Sequence, residues 1–172
     1  PRRHARLARL YLNNGNGEFT QENGSGTDIL TADGRGSATF DYNDDGFLDF
    51  YSASRGAEQA YSSGRQAYSR NYLFKNESDG SGGNAHFLKV AVYNENGALG
   101  GLGTRIWAYK AGSLDQPAGL IAYREISVTS GFQSQKSYIQ HLGLGSNSQV
   151  DLKIQLPDGS QQIYSGISTD QT

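Results

Sequence analysis

Between residues 41 and 49 the chain reads Asp41-Tyr42-Asn43-Asp44-Asp45-Gly46-Phe47-Leu48-Asp49, with oxygen donors available at every second position. A calcium ion takes about six to eight oxygens at roughly 2.3–2.6 Å. Side chains of Asp41, Asn43, Asp45 and Asp49, with the main-chain carbonyl of Phe47, supply most of that set from one loop, and Gly46 permits its sharp bend. The spacing therefore predicts a Ca2+ site. An EF-hand loop would close with a bidentate Glu at its twelfth position, which is Ser52 here. The flanking Phe40, Phe47, Leu48, Phe50 and Tyr51 favour strand over helix, so the predicted site is a β-loop. An Asp/Asn/Gly turn without metal has similar composition. Carboxylates crowded into so short a loop nevertheless repel one another unless a cation neutralises them.

Other chemistries find less support. His4, His86 and His141 show neither His-x-His nor His-Glu-x-x-His spacing, which leaves a transition-metal hydrolase without a ligand set. No Gly-x-Ser-x-Gly elbow supports a serine nucleophile. Gly101-Leu102-Gly103 and Gly143-Leu144-Gly145 open no βαβ helix and read as turns, and His141 reads as a structural strand residue. Asn13, Asn14, Asn16 and Glu18 offer a second cation set, but an Asn-Gly turn explains them without metal. Trp107, Tyr109 and Tyr123 form either a sugar-stacking platform or, the preferred expectation, a cover for the core or an interface. Asn23 and Asn76 begin glycosylation sequons. No catalytic residue and no organic cofactor is predicted.

The elements that position these residues follow from composition. Among 172 residues there are 23 Gly, 11 Tyr, 7 Phe and 3 Pro, with 35% hydrophobic residues, which suits a turn-rich all-β chain. The net charge of -2 argues against a general nucleic-acid binder. Arg2, Arg3, Arg6 and Arg9 make a local basic segment at residues 1–9, read as solvated. The absence of Cys removes disulfides and thiolate sites together, so calcium becomes a candidate staple. No apolar run reaches the roughly 18–20 residues of a membrane span. The chain lacks Met and begins at Pro1, which suggests a processed chain or an incompletely identified sequence. Export is expected, because calcium is abundant outside cells and weak extracellular sites are filled there.

The polar run Ser78-Asp79-Gly80-Ser81-Gly82-Gly83-Asn84 divides a unit at 10–83 from one at 84–172. Leu10–Gly15 and Asn71–Glu77 are similar apolar strands on either side of the loop, at a spacing that suggests propeller-type repeats, and 52–70 reads as a long insertion. After residue 84, period-two alternation marks strands at Leu88/Val90/Val92, Ile106/Ala108, Ile126/Val128 and Val150/Leu152/Ile154/Leu156. Turn signals at Asn96-Gly97, Gly112-Ser113, Ser130-Gly131, Gly143–Asn147 and Pro157-Asp158-Gly159 separate them; the last predicts a hairpin of Val150–Leu156 with Gln161–Tyr164. The expected architecture is an antiparallel sandwich or barrel of about six or seven strands.

Gly34–Phe40 running into Asp41–Phe50 resembles the FG-GAP or VCBS repeat, the calcium-loop blade of integrin-like propellers. His86–Val90, Gly103–Ile106, Arg124–Ile126 with Ser130–Phe132, His141–Gly145, and Val150–Leu156 with Pro157-Asp158-Gly159 resemble, in order, the ASPIC/UnbV module. That module follows FG-GAP repeats in cartilage acidic proteins and in many exported bacterial proteins. Leu156 stands where the module usually carries Trp. The resemblance implies a propeller-blade fragment followed by a β domain. One blade cannot close a propeller, so its strand edges must be paired, covered or blunted. Arg6–Leu12 has the alternation of a donated strand, and head-to-tail donation builds filaments.

These readings converge on an extracellular or cell-surface, calcium-binding structural or adhesion protein, non-enzymatic, forming a homo-oligomer or filament. A carbohydrate- or extracellular-protein-binding module is the alternative, and a polysaccharide-active enzyme the third reading. No nucleic-acid partner is expected.

Overall fold

The computed structural model describes residues 11–21, 34–54, 71–77, 86–129, 131 and 134–172. The basic segment at 1–9, the sequon at Asn23, the body of the expected insertion, the polar run near residue 80 and most of the expected donor strand lie outside them. The described residues are all-β, with eleven strands and no α-helix. The chain divides into two compact units: one of 1–38, 50–74 and 131–134, the other of 39–49, 75–130 and 135–172.

In the first unit, β1 (Tyr11–Asn13) and β2 (Phe19–Gln21) form an antiparallel hairpin. Its turn is closed by side chains, since the Asn13 amide oxygen accepts from Gly15 N–H and that of Asn16 from Glu18 N–H. The expected Asn-Gly turn is thus made by Asx-type bonds. Strands β3 (Gly34–Phe40, its last two residues counted with the second unit), β4 (Asp49–Ser54, its first residue likewise) and β5 (Tyr72–Phe74) form a three-stranded sheet in that order. Phe50 pairs with Phe74 across β4 and β5, their rings 6.1 Å apart.

The second unit holds the larger core. Strand β6 (His86–Val90) pairs with β9 (Gln140–Gly145), and β7 (Arg105–Lys110), β8 (Leu120–Glu125), β10 (Gln149–Gln155) and β11 (Gln161–Ser168) form a sheet in the order β11-β10-β7-β8. All described pairings of these named strands are antiparallel. The alternating residues Ile106 and Ala108 on β7, Val150, Leu152 and Ile154 on β10, Leu88 and Val90 on β6, and Leu142 and Leu144 on β9 enter one buried cluster. Each large aliphatic side chain buried there contributes about 1.5–3 kcal/mol of transfer free energy. The expected hairpin is present, with Gln155 opposite Gln161 and Leu156 N–H donating to Ser160 O across Pro157-Asp158-Gly159.

Two expectations are corrected. Gly143 and Leu144 belong to β9 rather than to a turn: Gly143 pairs with Phe87 at a register shift in β6, and Leu144 is fully buried, so the chain bends only from Gly145 onward. Glycine marked the end of the strand, and core burial of the leucine between the two glycines overrode the turn signal. Ile126 lies just beyond β8 rather than within a strand, yet it is completely buried, and its N–H and C=O bond Thr104 O and Gly103 N–H.

The chain end is tied into this unit. Asp170 N–H donates to Phe87 O, Lys89 N–H donates to Gln171 O, and Leu88 and Gln171 form a parallel bridge beside β6.

Candidate functional site

Residues 39–49 belong to the second compact unit, and within that unit the loop is held at four points.

At its start, Asp41 accepts at Oδ1 from Asp45 N–H (3.1 Å) and at Oδ2 from Gly46 N–H (2.9 Å). Its side chain is 1% exposed. Next along the loop, Asp45 accepts from Phe47 N–H at Oδ1 and from the Asn43 side-chain amide at Oδ2 (2.7 Å). These are the bonds that short Asp and Asn side chains make to nearby backbone, and they coil the loop on itself. Asp44 adopts φ 58 and Gly46 φ 89, two left-handed residues on either side of Asp45 that turn the chain back toward β4.

The second point is Lys89, on the face of β6 opposite Leu88 and Val90. Its ammonium lies 2.9 Å from Asp41 Oδ2 and 2.6 Å from Asp44 Oδ1, and its side chain is only 15% exposed. It also sits over the Phe87 ring, 5.7 Å from the centroid. Burial pulls the Asp41 carboxyl upward, but the Lys89 ammonium and the Gly46 and Asp45 amides outweigh it and hold the group below its ordinary value. Burial likewise pulls Lys89 down, and the Asp44 and Asp41 carboxylates more than compensate.

His141 and Phe87, stacked with ring centroids 5.5 Å apart, form the third point under the turn. The ring nitrogen Nε2 of His141 is 2.9 Å from Gly46 O. A carbonyl only accepts, so Nε2 carries the proton and Nδ1 is the bare nitrogen. Among the described residues, this buried Nδ1 has no hydrogen-bond partner. Burial pushes His141 below its ordinary value, and the bond to Gly46 only partly offsets that.

The loop closes on Asp49, which is 1% exposed. Its Oδ2 accepts from Tyr42 N–H (3.1 Å) and its Oδ1 from Asn76 N–H (2.8 Å). The Asn76 side-chain amide donates to Leu48 O. Asp49 is therefore a brace across the loop mouth, and Asn76, noted in the sequence only as a sequon, is its partner.

The structure thus joins Asp41, Asn43 and Asp45 directly, with Phe47 donating to Asp45. Among the described residues no three carboxylate or imidazole groups converge on one metal-sized point. The donor set is nonetheless of hard oxygens, which suits calcium chemistry. A positive charge also already stands against Asp41, since the Lys89 ammonium acts there as a tethered cation. Sequence reasoning missed Lys89 and Asp44; Lys89 is simply the outward position in the alternation of β6, with no local pattern to link it to the loop.

The aromatic residues Trp107, Tyr109 and Tyr123 lie on β7 and β8. Trp107 and Tyr123 are cross-strand partners with rings 5.4 Å apart, and Lys153 Nζ stands over the Trp107 ring while pairing with Asp115 at 2.6 Å. Tyr109, two residues along β7 from Trp107, is 7% exposed, and its hydroxyl lies 3.5 Å from Oδ1 of the same Asp115.

Residues 95–172, a little under half the chain, match the family profile described as ASPIC and UnbV. This match spans β7 to β11 and includes His141; the loop and Lys89 precede it. No curated protein matches the chain significantly.

Proposed function

We propose that this chain is an exported, non-enzymatic structural or adhesion protein whose second unit is stabilised by calcium at the 41–49 loop. The observation that carries this reading is the anchoring of an oxygen-rich loop to β6 and β9 through Lys89, Phe87 and His141. In this reading Asp41, Asn43, Asp45 and Asp49 hold the ion by side chain and Phe47 by its carbonyl, in the manner of an FG-GAP or VCBS loop. Bound calcium cancels carboxylate repulsion and, because the loop packs on the core sheets, its binding free energy appears as stability of the unit. Asp45→Ala should lower the melting temperature in millimolar calcium and leave it nearly unchanged in chelator. Equal losses in both media would refute a metal role.

The assembly reading rests on a strand edge. Among the described residues, strand β11 is an edge of the four-stranded sheet, and most of its residues are exposed, including Ile163 and Tyr164. Edges of this kind accept a further strand, and a non-closing contact between copies makes a filament. Sedimentation velocity over a concentration series, in calcium and in chelator, tests this, and a monomer throughout would sink it.

A second reading, a glycan-binding module, is favoured by the exposed Tyr123 beside Trp107 on the sheet face opposite the core. Glycan-array binding abolished by Trp107→Ala would support it over pure scaffolding.

A further inference from the structure

We propose that Lys89 is a built-in competitor for the loop's cation: its ammonium keeps the loop closed without metal and weakens the loop's affinity for calcium. This rests on the calcium reading above and adds to it the residue that sets the affinity.

Three observations carry it. Lys89 is the only cationic side chain among the described residues that forms an ion pair with the loop, and it reaches two loop carboxylates at once, at 2.9 and 2.6 Å. It does so from a place that is 15% exposed, with its Nζ over the Phe87 ring at 5.7 Å from the centroid, so the ammonium is held by the ring as well as by the carboxylates. Finally, the oxygen it contacts belongs to Asp41, the first oxygen donor of the predicted calcium set, which is itself almost completely buried.

The electrostatic consequence is direct. A divalent ion bound through Asp41 lies within about 5 Å of any ammonium that keeps its contact with the same carboxylate, and at an effective dielectric of about 20 that repulsion is several kcal/mol. Calcium therefore has to drive Lys89 off Asp41 and out toward Asp44, whose side chain is 86% exposed and well placed to retain it. Work done on the lysine is subtracted from binding. In the absence of metal, the same ammonium neutralises part of the charge of Asp41 and Asp44, so that the loop stays folded on β6 and β9.

The test uses the full chain, with calcium chloride as probe, titrated calorimetrically and followed by thermal melts in calcium and in chelator. Wild type, Lys89→Met, Lys89→Gln and the charge-preserving Lys89→Arg are compared. Expected are calcium affinities at least tenfold higher for Met and Gln, a near-wild-type affinity for Arg, and lower melting temperatures of Met and Gln in chelator that calcium restores. Binding only to the Met and Gln variants would be the extreme form of the same competition. Wild-type affinity that Met and Gln leave unchanged or weaken, with circular dichroism confirming folded protein, overturns the proposal while the calcium reading stands. No calcium binding to any of the four overturns both.

Discussion

His141 on β9 donates through Nε2 to the carbonyl of Gly46 at 2.9 Å, 95 residues earlier in the chain, and its ring lies flat against Phe87, which in turn fills the space where a Gly46 side chain would project. Turn, imidazole and phenyl ring are therefore one packed layer. The conformation of the loop and the pairing of β6 with β9 are consequently coupled.

Gly46 is the position where this coupling is most exposed to substitution. Its φ of 89 is left-handed, and an added Cβ would overlap the Phe87 ring. Gly46→Ala should cost about 2–4 kcal/mol, combining a left-handed penalty of about 1–2 with overpacking. Adding Phe87→Leu should recover about 1 kcal/mol in a double-mutant cycle read by denaturant unfolding. Strict additivity would mean the ring is not what the new methyl meets.

The bare Nδ1 of His141 makes the second unit sensitive to mild acid. Desolvation holds the folded pKa below the ordinary 6.5, opposed by Gly46 O and Asp41 and reinforced by the nearby Lys89 and Arg124 charges. A depressed histidine means that the unfolded chain takes up the proton first as pH falls through 6.5, so stability declines from there down to the folded value. The stability of His141→Gln should fall less than that of the wild type between pH 7.5 and 5. Parallel curves would show that this imidazole does not titrate differently in the two states.

Much of this fold is legible in the amino-acid order, and the limits of legibility have physical causes. Val150, Leu152 and Ile154 alternate strictly and end at Pro157-Asp158-Gly159, so β10, its inward face and its hairpin with β11 follow from period and turn chemistry alone. Gly143 and Leu144 were misread because a glycine beside a buried leucine looks locally like a turn, whereas its place in β9 depends on Phe87 across the strand pair. The oxygen donors of the loop are adjacent in sequence and were visible as a group. Lys89, Phe87 and His141 were not connected to them, because contacts over such separations depend on β6 pairing with β9.

Asp170 fastens the chain end to β6. Its Oδ2 is 2.7 Å from His86 Nδ1, and its Oδ1 accepts from Phe87 N–H. Burial raises the carboxyl, but His86 and the Phe87 amide together outweigh it, leaving the pKa below 3.8. A lowered carboxylate contributes stability that is present above 3.8 and lost as pH falls through the folded value. Asp170→Asn should therefore cost about 0.5–1 kcal/mol near neutrality, the modest figure expected for a half-exposed pair. The gap from wild type should hold constant down to about pH 4 and close below it. A gap that persists in stronger acid would assign the effect to the backbone of the tail.

Asp151 shows the same economy inside the four-stranded sheet. It is 4% exposed and sits at the register break between Val150 and Leu152, where Oδ2 accepts from Gly112 N–H and Oδ1 from Gly166 N–H, each at 2.8 Å. Gly112 turns the chain after β7 and Gly166 carries positive φ within β11, so one carboxylate satisfies amides that both irregularities release from the ladder. Asp151→Ala strands both donors and should cost about 2–4 kcal/mol, whereas Asn keeps one acceptor and should cost about half. Amide hydrogen exchange separates a local from a global effect. In the Ala variant Gly112 and Gly166 should lose protection first, while Ile106 and Ile154 exchange only at the global rate. Uniform loss across the sheet would mean that Asp151 supports the core as a whole rather than these two bends.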